Sequence, residues 1–274
     1  RNADRIQVER DGRANTFARV GKTWKMTEPL MAEADDEGLA LIVSLLGELR
    51  AAEIVAEKPA ELAPYGLDKP ERWRVFDGER EVMYLLVGGK EKIGPDRKTD
   101  GPRVYAMLEK GGTVVLLEPL ISSRLAAEYR RRDLWPGVKS ADVVEIAFKS
   151  PDAAESFTLV RKGNEWSDPA KPEDRIAPAA MTELLFAIDS LRAERFIVDK
   201  DAKDLKPFGL DRPKSVTITT KDGKKYAILL GSLHDGNRIY AKLDDPARTD
   251  VFVLNDFDTK AINRTRKGFV EEKK

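Results

Sequence analysis

Pro64-Tyr65-Gly66-Leu67-Asp68-Lys69-Pro70 returns as Pro207-Phe208-Gly209-Leu210-Asp211-Arg212-Pro213, a shift of 143. Working outward, other markers return in the same order. Leu49-Arg50-Ala51 comes back as Leu191-Arg192-Ala193 and Trp24 as Trp166, both at a shift of 142, and Arg103-Val104-Tyr105-Ala106 comes back as Arg238-Ile239-Tyr240-Ala241 at 135. Markers kept in order with only small changes of shift signal two copies of one domain rather than a chance motif. A chain of 274 residues leaves each copy long enough to bury a core. The reading places a first repeat domain at 1–138 and a second at 139–274, with the boundary near 136 to 141 after Trp135-Pro136-Gly137.

Each copy carries one amphipathic stripe. Leu39, Ile42, Val43, Leu46 and Leu49 fall on one helix face, and Met181, Leu184, Leu185, Ile188 and Leu191 repeat that spacing at a shift of 142. Asp35 and Asp36 suit the start of the first helix, and Pro178 suits the first turn of the second. Short apolar strands are expected after each helix, at 53–56 and 195–198, followed by the signature and a hairpin. The first hairpin is expected to turn at Asp77-Gly78 in type I′ geometry with Val82, Tyr84 and Leu86 returning on the core face; the second turns at Asp222-Gly223 with Tyr226, Ile228 and Leu230 returning. Two further strands follow in each copy, two open it, and a short helix near 122–132 closes the first. The expected class is α+β: two tandem copies of a mainly antiparallel sheet packed with one principal helix.

Composition narrows function by exclusion. Charged residues make up 35% of the chain, but 48 basic and 48 acidic side chains cancel, so no broad field favours nucleic acid or an acidic membrane. Cysteine is absent, which removes disulfides, thiolate catalysis and sulfur metal sites. The most apolar stretch, 39–46, falls far short of the roughly 20 residues that cross a bilayer. The chain begins at Arg1, so an N-terminal tether removed before this point is expected rather than seen.

No residue set rises to a reaction, and no cofactor or metal is expected. His234, the only histidine, sits in a polar loop with no partner nucleophile in the sequence. Asp256-Phe257-Asp258 after Asn255, and Asp244-Asp245, lack the spacing of a calcium loop and suit helix capping and a turn. Gly88-Gly89-Lys90-Glu91-Lys92-Ile93-Gly94-Pro95 lacks the ending of a phosphate loop. Arg130-Arg131-Arg132 suits a solvated helix end. The signature positions Tyr65, Gly66, Leu67, Asp68 and Pro70, with Phe208, Gly209, Leu210, Asp211 and Pro213, have a structural explanation. Glycine takes an unusual backbone angle, leucine anchors the turn, aspartate bonds nearby amides, and proline sets entry to the next strand. Gly88 to Arg103 spans 15 positions, against 7 for Gly231 to Arg238, so the first copy has the longer loop. Lys90, Lys92, Arg97 and Lys98 in it are the candidate partner contacts.

Together the tryptophans ahead of each helix, the Leu-Arg-Ala helix ends, the two Gly-Leu-Asp-x-Pro signatures, the Leu-Val-Gly and Leu-Leu-Gly strand ends and the Val-Tyr-Ala and Ile-Tyr-Ala strands carry a resemblance. The chain resembles a bacterial family known as domain-of-unknown-function family 4340, once per copy. The resemblance implies a membrane-tethered protein with an extracytoplasmic body, often encoded beside auxiliary ABC-transporter components of the gliding-motility type, and no catalytic residues. The expected function is therefore a non-enzymatic extracytoplasmic interaction module with a protein partner, an accessory of an ABC transporter or cell-envelope complex. The alternative is a small-molecule or glycan binding protein using the groove between the copies.

Overall fold

The computed structural model describes residues 3–91 and 101–271. The chain divides into two compact units, Arg1–Arg131 and Arg132–Lys274. Leu134, Trp135 and Val138, which the sequence assigns to the link, are buried in the second unit's core, and the Leu134 amide donates to the Leu191 carbonyl.

In the first unit, strands β1 (Arg5–Arg10), β2 (Arg13–Val20), β3 (Thr23–Glu28) and β4 (Ala32–Glu33) precede helix α1 (Asp36–Gly47). Strands β5 (Ala51–Glu57), β6 (Glu71–Asp77), β7 (Arg80–Lys90), β8 (Val104–Leu108) and β9 (Thr113–Leu117) follow, then helix α2 (Pro119–Leu125). The sheet order is β4-β3-β2-β1-β6-β7-β8-β9-β5. The second unit runs β10 (Val143–Lys149), β11 (Phe157–Lys162), β12 (Glu165–Ser167), α3 (Pro178–Asp189), β13 (Arg195–Val198), β14 (Lys214–Thr220), β15 (Lys225–Leu233), β16 (Ile239–Leu243), β17 (Val251–Leu254) and α4 (Asp256–Ile262). Its order is β12-β11-β10-β14-β15-β16-β17-β13, which matches the first sheet strand for strand once β4 is set aside. The class is α+β, with antiparallel neighbours throughout the ladders of both sheets.

The helix stripes do what their spacing requires. The Asp35 side chain accepts from the Gly38 amide at 2.9 Å, satisfying one of the free donors at the start of α1, while Leu39, Ile42 and Leu46 are buried on its core face. In α3, Pro178 opens the first turn and Met181, Leu184 and Ile188 are buried. Leu49 and Leu191 lie just past the helix ends. Trp24, buried in the first core, donates its backbone N–H to Asp36 at 2.6 Å. In both units an arginine opposite the tryptophan lies over its ring: Arg19 over Trp24 at 5.0 Å and Arg161 over Trp166 at 6.0 Å.

Four local expectations need correction. The closing helix of the first unit ends at Leu125 rather than Arg132, because the following residues are drawn into extended pairing: Ala34 bridges Arg130, and the Arg131 amide donates to the Glu33 carbonyl. Arg130 is consequently 5% exposed and is not a solvated helix end. In the first hairpin Asp77 pairs with Arg80, so the central residues are Gly78 and Glu79, and only Gly78 has positive φ, at 59°. Type I′ needs two such residues and is excluded. The ladder also steps from Val75–Met83 to Phe76–Glu81, leaving Val82 as an extra residue. One extra residue reverses the alternation. Leu85 and Val87 therefore face the core in place of Tyr84 and Leu86. The second hairpin follows expectation, with Ile228 and Leu230 buried opposite Val216 and Lys214.

Candidate functional site at the signature turns

The two signatures build the same object. Ala63–Tyr65 and Lys206–Phe208 form short 3-10 turns, each ended by a glycine in the left-handed region, Gly66 at φ 66° and Gly209 at φ 64°. Leu67 and Leu210 are buried beside the turn, and Pro70 and Pro213 stand one residue before β6 and β14. The turn is clamped against the end of the neighbouring hairpin strand. A Cβ on Gly88 would lie 2.2 Å from the Tyr65 carbonyl oxygen, and one on Gly231 would lie 2.0 Å from that of Phe208. The Leu-Val-Gly and Leu-Leu-Gly strand ends are thus the counterpart surface of the signature. Tyr65 packs edge-on against Tyr105 at 5.3 Å, and Phe208 against Tyr240 at 5.2 Å. Burial pushes the Tyr105 hydroxyl pKa up, and nearby Glu91 adds to the shift. One element departs from expectation: Asp68 and Asp211 are exposed, and among the described residues neither side chain bonds an amide.

Next to these turns the two units differ. In the first, β7 runs through Lys90, which pairs with Val104, and the Glu91 amide donates to the Arg103 carbonyl at 2.9 Å, so Lys90 belongs to a strand rather than a loop. Of the other candidate contacts, Lys92, Arg97 and Lys98 lie outside the described residues. In the second unit, the shorter connection carries His234, whose Nδ1 lies 2.7 Å from the Tyr240 hydroxyl, with the two rings 4.8 Å apart. Arg238 pairs with Glu194 at 2.7 Å and with Asp235, tying the connection to the approach to β13. Among the described residues the side-chain partner of His234 is the Tyr240 hydroxyl. Among the described residues no three histidine, aspartate or glutamate side chains are placed to share a metal ion.

Sequence reasoning missed an exposed apolar surface on the second unit. Phe186 of α3 is 62% exposed and packs edge-on against Phe257 of α4 at 5.6 Å; Phe257 is 46% exposed and shares an open cavity wall with Leu233, 65% exposed. The available signal was Phe186 itself, an aromatic residue off the buried stripe of its helix. Beneath Phe257, α4 is capped by Asn255, whose side chain accepts from the Asp258 amide at 2.8 Å and donates to the Asp258 carboxylate at 2.7 Å. Asp244-Asp245 is a turn, with the Asp245 side chain accepting from the Ala247 amide. Both acidic pairs therefore serve local backbone structure.

Burial drives the Asp258 carboxyl up to about 6, against lowering by Asn255 and Arg192. Its folded pKa lies above its unfolded one, so the fold favours the proton: this stabilisation is fully present below about pH 4 and is lost as pH rises through 6. At 2% exposure little screening intervenes, and the loss is of order 3 kcal/mol. Denaturant melts of the second unit are expected to weaken from pH 4 to 7, and Asp258→Asn should flatten that slope. An unchanged slope in the variant would assign the titration elsewhere.

The family model for the domain of unknown function DUF4340 matches residues 24–213 and 187–273, covering the chain with two overlapping segments. The chain belongs to the DUF4340 family. No curated protein and no solved structure matches it. For this DUF4340 chain, the two segments are consistent with the repeat of signature, helix stripe and strand order on which the fold is built. Among its described residues no helix is long and apolar enough to cross a membrane.

Proposed function

We propose that this protein consists of two copies of one domain and acts as a non-enzymatic interaction module that binds another protein. The observation that carries this reading is the exposed aromatic pair Phe186 and Phe257, continuous with Leu233. Edge-to-face aromatics left in water expose apolar surface whose burial favours association, and aromatic anchors dominate the energetics of protein interfaces. In this reading the body stands on the extracytoplasmic side of a membrane as an accessory of an ABC transporter or cell-envelope complex, as the family resemblance implies, with Lys90, Lys92, Arg97 and Lys98 adding selectivity. The matching strand order of the two sheets supports the duplication.

The test is capture from solubilised native membranes with Phe186→Ser/Phe257→Ser beside the parent protein. Substitutions at exposed positions should move the melting temperature little. Capture of a defined membrane partner should fall at least tenfold. Equal capture, or turnover of a substrate by the purified protein, would overturn the reading.

A further inference from the structure

We infer that the second unit is a binding site for a small organic anion, a carboxylate or phosphate monoester carrying a short apolar group, in a pocket whose counterpart is filled in the first unit. The pocket has a volume of about 190 Å³ and lies between the ends of β10, β14 and β15 and the segment after α4. Cavities of about 150 Å³ with apolar walls accept a benzene ring, so the space suits an acyl chain or a single ring. Its floor includes Val216, Leu230 and Ile262, and its lining includes Lys149, Arg266 and Lys267 together with the carboxylate Glu155, which Lys214 neutralises.

The origin of the space is legible from the ladder registers. Val8 pairs with Trp73 in the first sheet, and Phe148 pairs with Val216 in the second, so Val216 holds the place of Trp73. Trp73 is fully buried and packs edge-on against Tyr129 at 6.0 Å; valine cannot reach as far. Two residues on along the strand, Arg10 of the first unit becomes Ser150. Arg10 pairs with Glu71 at 2.8 Å and donates to the carbonyls of Leu125 and Ala127, lying across the corresponding space, whereas a serine leaves it open. The return to the core is longer too. The amide entering α1 donates to Tyr129 and that entering α3 donates to Phe269, so these two aromatics correspond. Only Ala126, Ala127 and Glu128 join α2 to Tyr129, while residues 263–268 join α4 to Phe269. The added residues bring Arg266 and Lys267 to the wall.

Charge reverses with shape. Glu9 and Glu71 of the first unit are replaced in register by Lys149 and Lys214. Lys214 is engaged with Glu155 at 3.3 Å, but Lys149 and Lys267 have no ion pair among the described residues. Arg266 faces Asp168 and Asp174 through Nε and Nη1, and its Nη2 is buried without a hydrogen-bond partner. A donor atom left without an acceptor is costly, and an anion held on this wall by Lys149 and Lys267 is a group that removes the cost. An apolar floor with a few convergent donors is the usual composition of a small-ligand site. The pocket shares Asn263 with the cavity beside Phe257 but neither its apolar floor nor its cationic lining, and its test reads ligand titration rather than partner capture, so failure of either proposal leaves the other standing.

The experiment is titration of the whole protein with sodium hexanoate, 1-hexanol and sodium acetate, followed by amide chemical shifts and calorimetry. Hexanoate should saturate, with shifts centred on Val216, Leu230 and Ile262, and should bind at least about tenfold tighter than either hexanol, which lacks the charge, or acetate, which lacks the chain. Lys149→Glu/Lys267→Glu should weaken hexanoate about tenfold and leave hexanol unchanged. Val216→Trp should abolish binding by filling the floor. If that variant does not fold, Ser150→Arg, at a half-buried position of the pocket wall, supplies the plug of the first unit and decides alone. Non-saturating shifts, equal affinity for hexanoate and hexanol or acetate, or undiminished binding in a folded plugged variant would overturn the assignment.

Discussion

Gly231→Val is expected to lower the stability of the second unit by at least about 3 kcal/mol, or to prevent its folding. The added Cβ would sit 2.0 Å from the Phe208 carbonyl oxygen and 3.0 Å from Leu210 Cγ. Neither neighbour can yield cheaply. The carbonyl belongs to a turn closed by amide bonds from Phe208 and Leu210 to the Leu205 carbonyl, and Leu210 is buried. A side chain end could swing away, but a backbone carbonyl moves only with its turn. Gly223 provides the control: its φ is 79°, yet nothing lies within 4 Å of an added Cβ, so Gly223→Ala should cost only backbone strain of about 1 kcal/mol. Denaturant melts of both variants separate steric from conformational cost. Equal midpoints would show that the signature turn is free to move from the strand end and does not clamp it.

Arg266→Met is expected to cost about 3 to 5 kcal/mol, although the replacement keeps most of the apolar stem. Asp168 is 2% exposed, its Oδ2 receives the Arg266 Nε–H at 2.6 Å, and its other side-chain bond is from the Ala170 amide. Removing the guanidinium leaves a buried carboxylate with a single neutral donor and also takes one partner from Asp174. The loss would fall on the junction between the C-terminal segment and the loop after β12. The pair Arg266→Met/Asp168→Asn should recover much of the stability, because the charge left unpaired is then gone. Lys221→Ala should be near neutral by comparison, since the Lys221–Asp142 pair lies in water. If Arg266→Met melts like Lys221→Ala, the buried pair holds nothing together.

The sequence alone determined the class of the fold and the position of its periodic parts. Leu39, Ile42 and Leu46, and their counterparts Met181, Leu184 and Ile188, needed only helical spacing to be assigned to a core, because burial of a stripe follows from local geometry. Gly66 and Gly209 were legible for a related reason: the turn that needs positive φ is local, and glycine meets it most cheaply. Family membership was likewise written in the order of the markers. What lay beyond the sequence was whatever depends on atoms distant in the chain. Val82 becomes an extra residue only through its ladder partners, and that decides that Leu85 and Val87, rather than Tyr84 and Leu86, enter the core. Arg130 is buried because Ala34 pairs beside it. Asp68 and Asp211 sit where a capping residue would, but no amide is brought to them among the described residues. The exposed Phe186 and Phe257 and the pocket over Val216 were hidden for the same cause. Exposure and empty volume belong to the packing of several segments at once, and the spacing of residues along one segment carries no record of them.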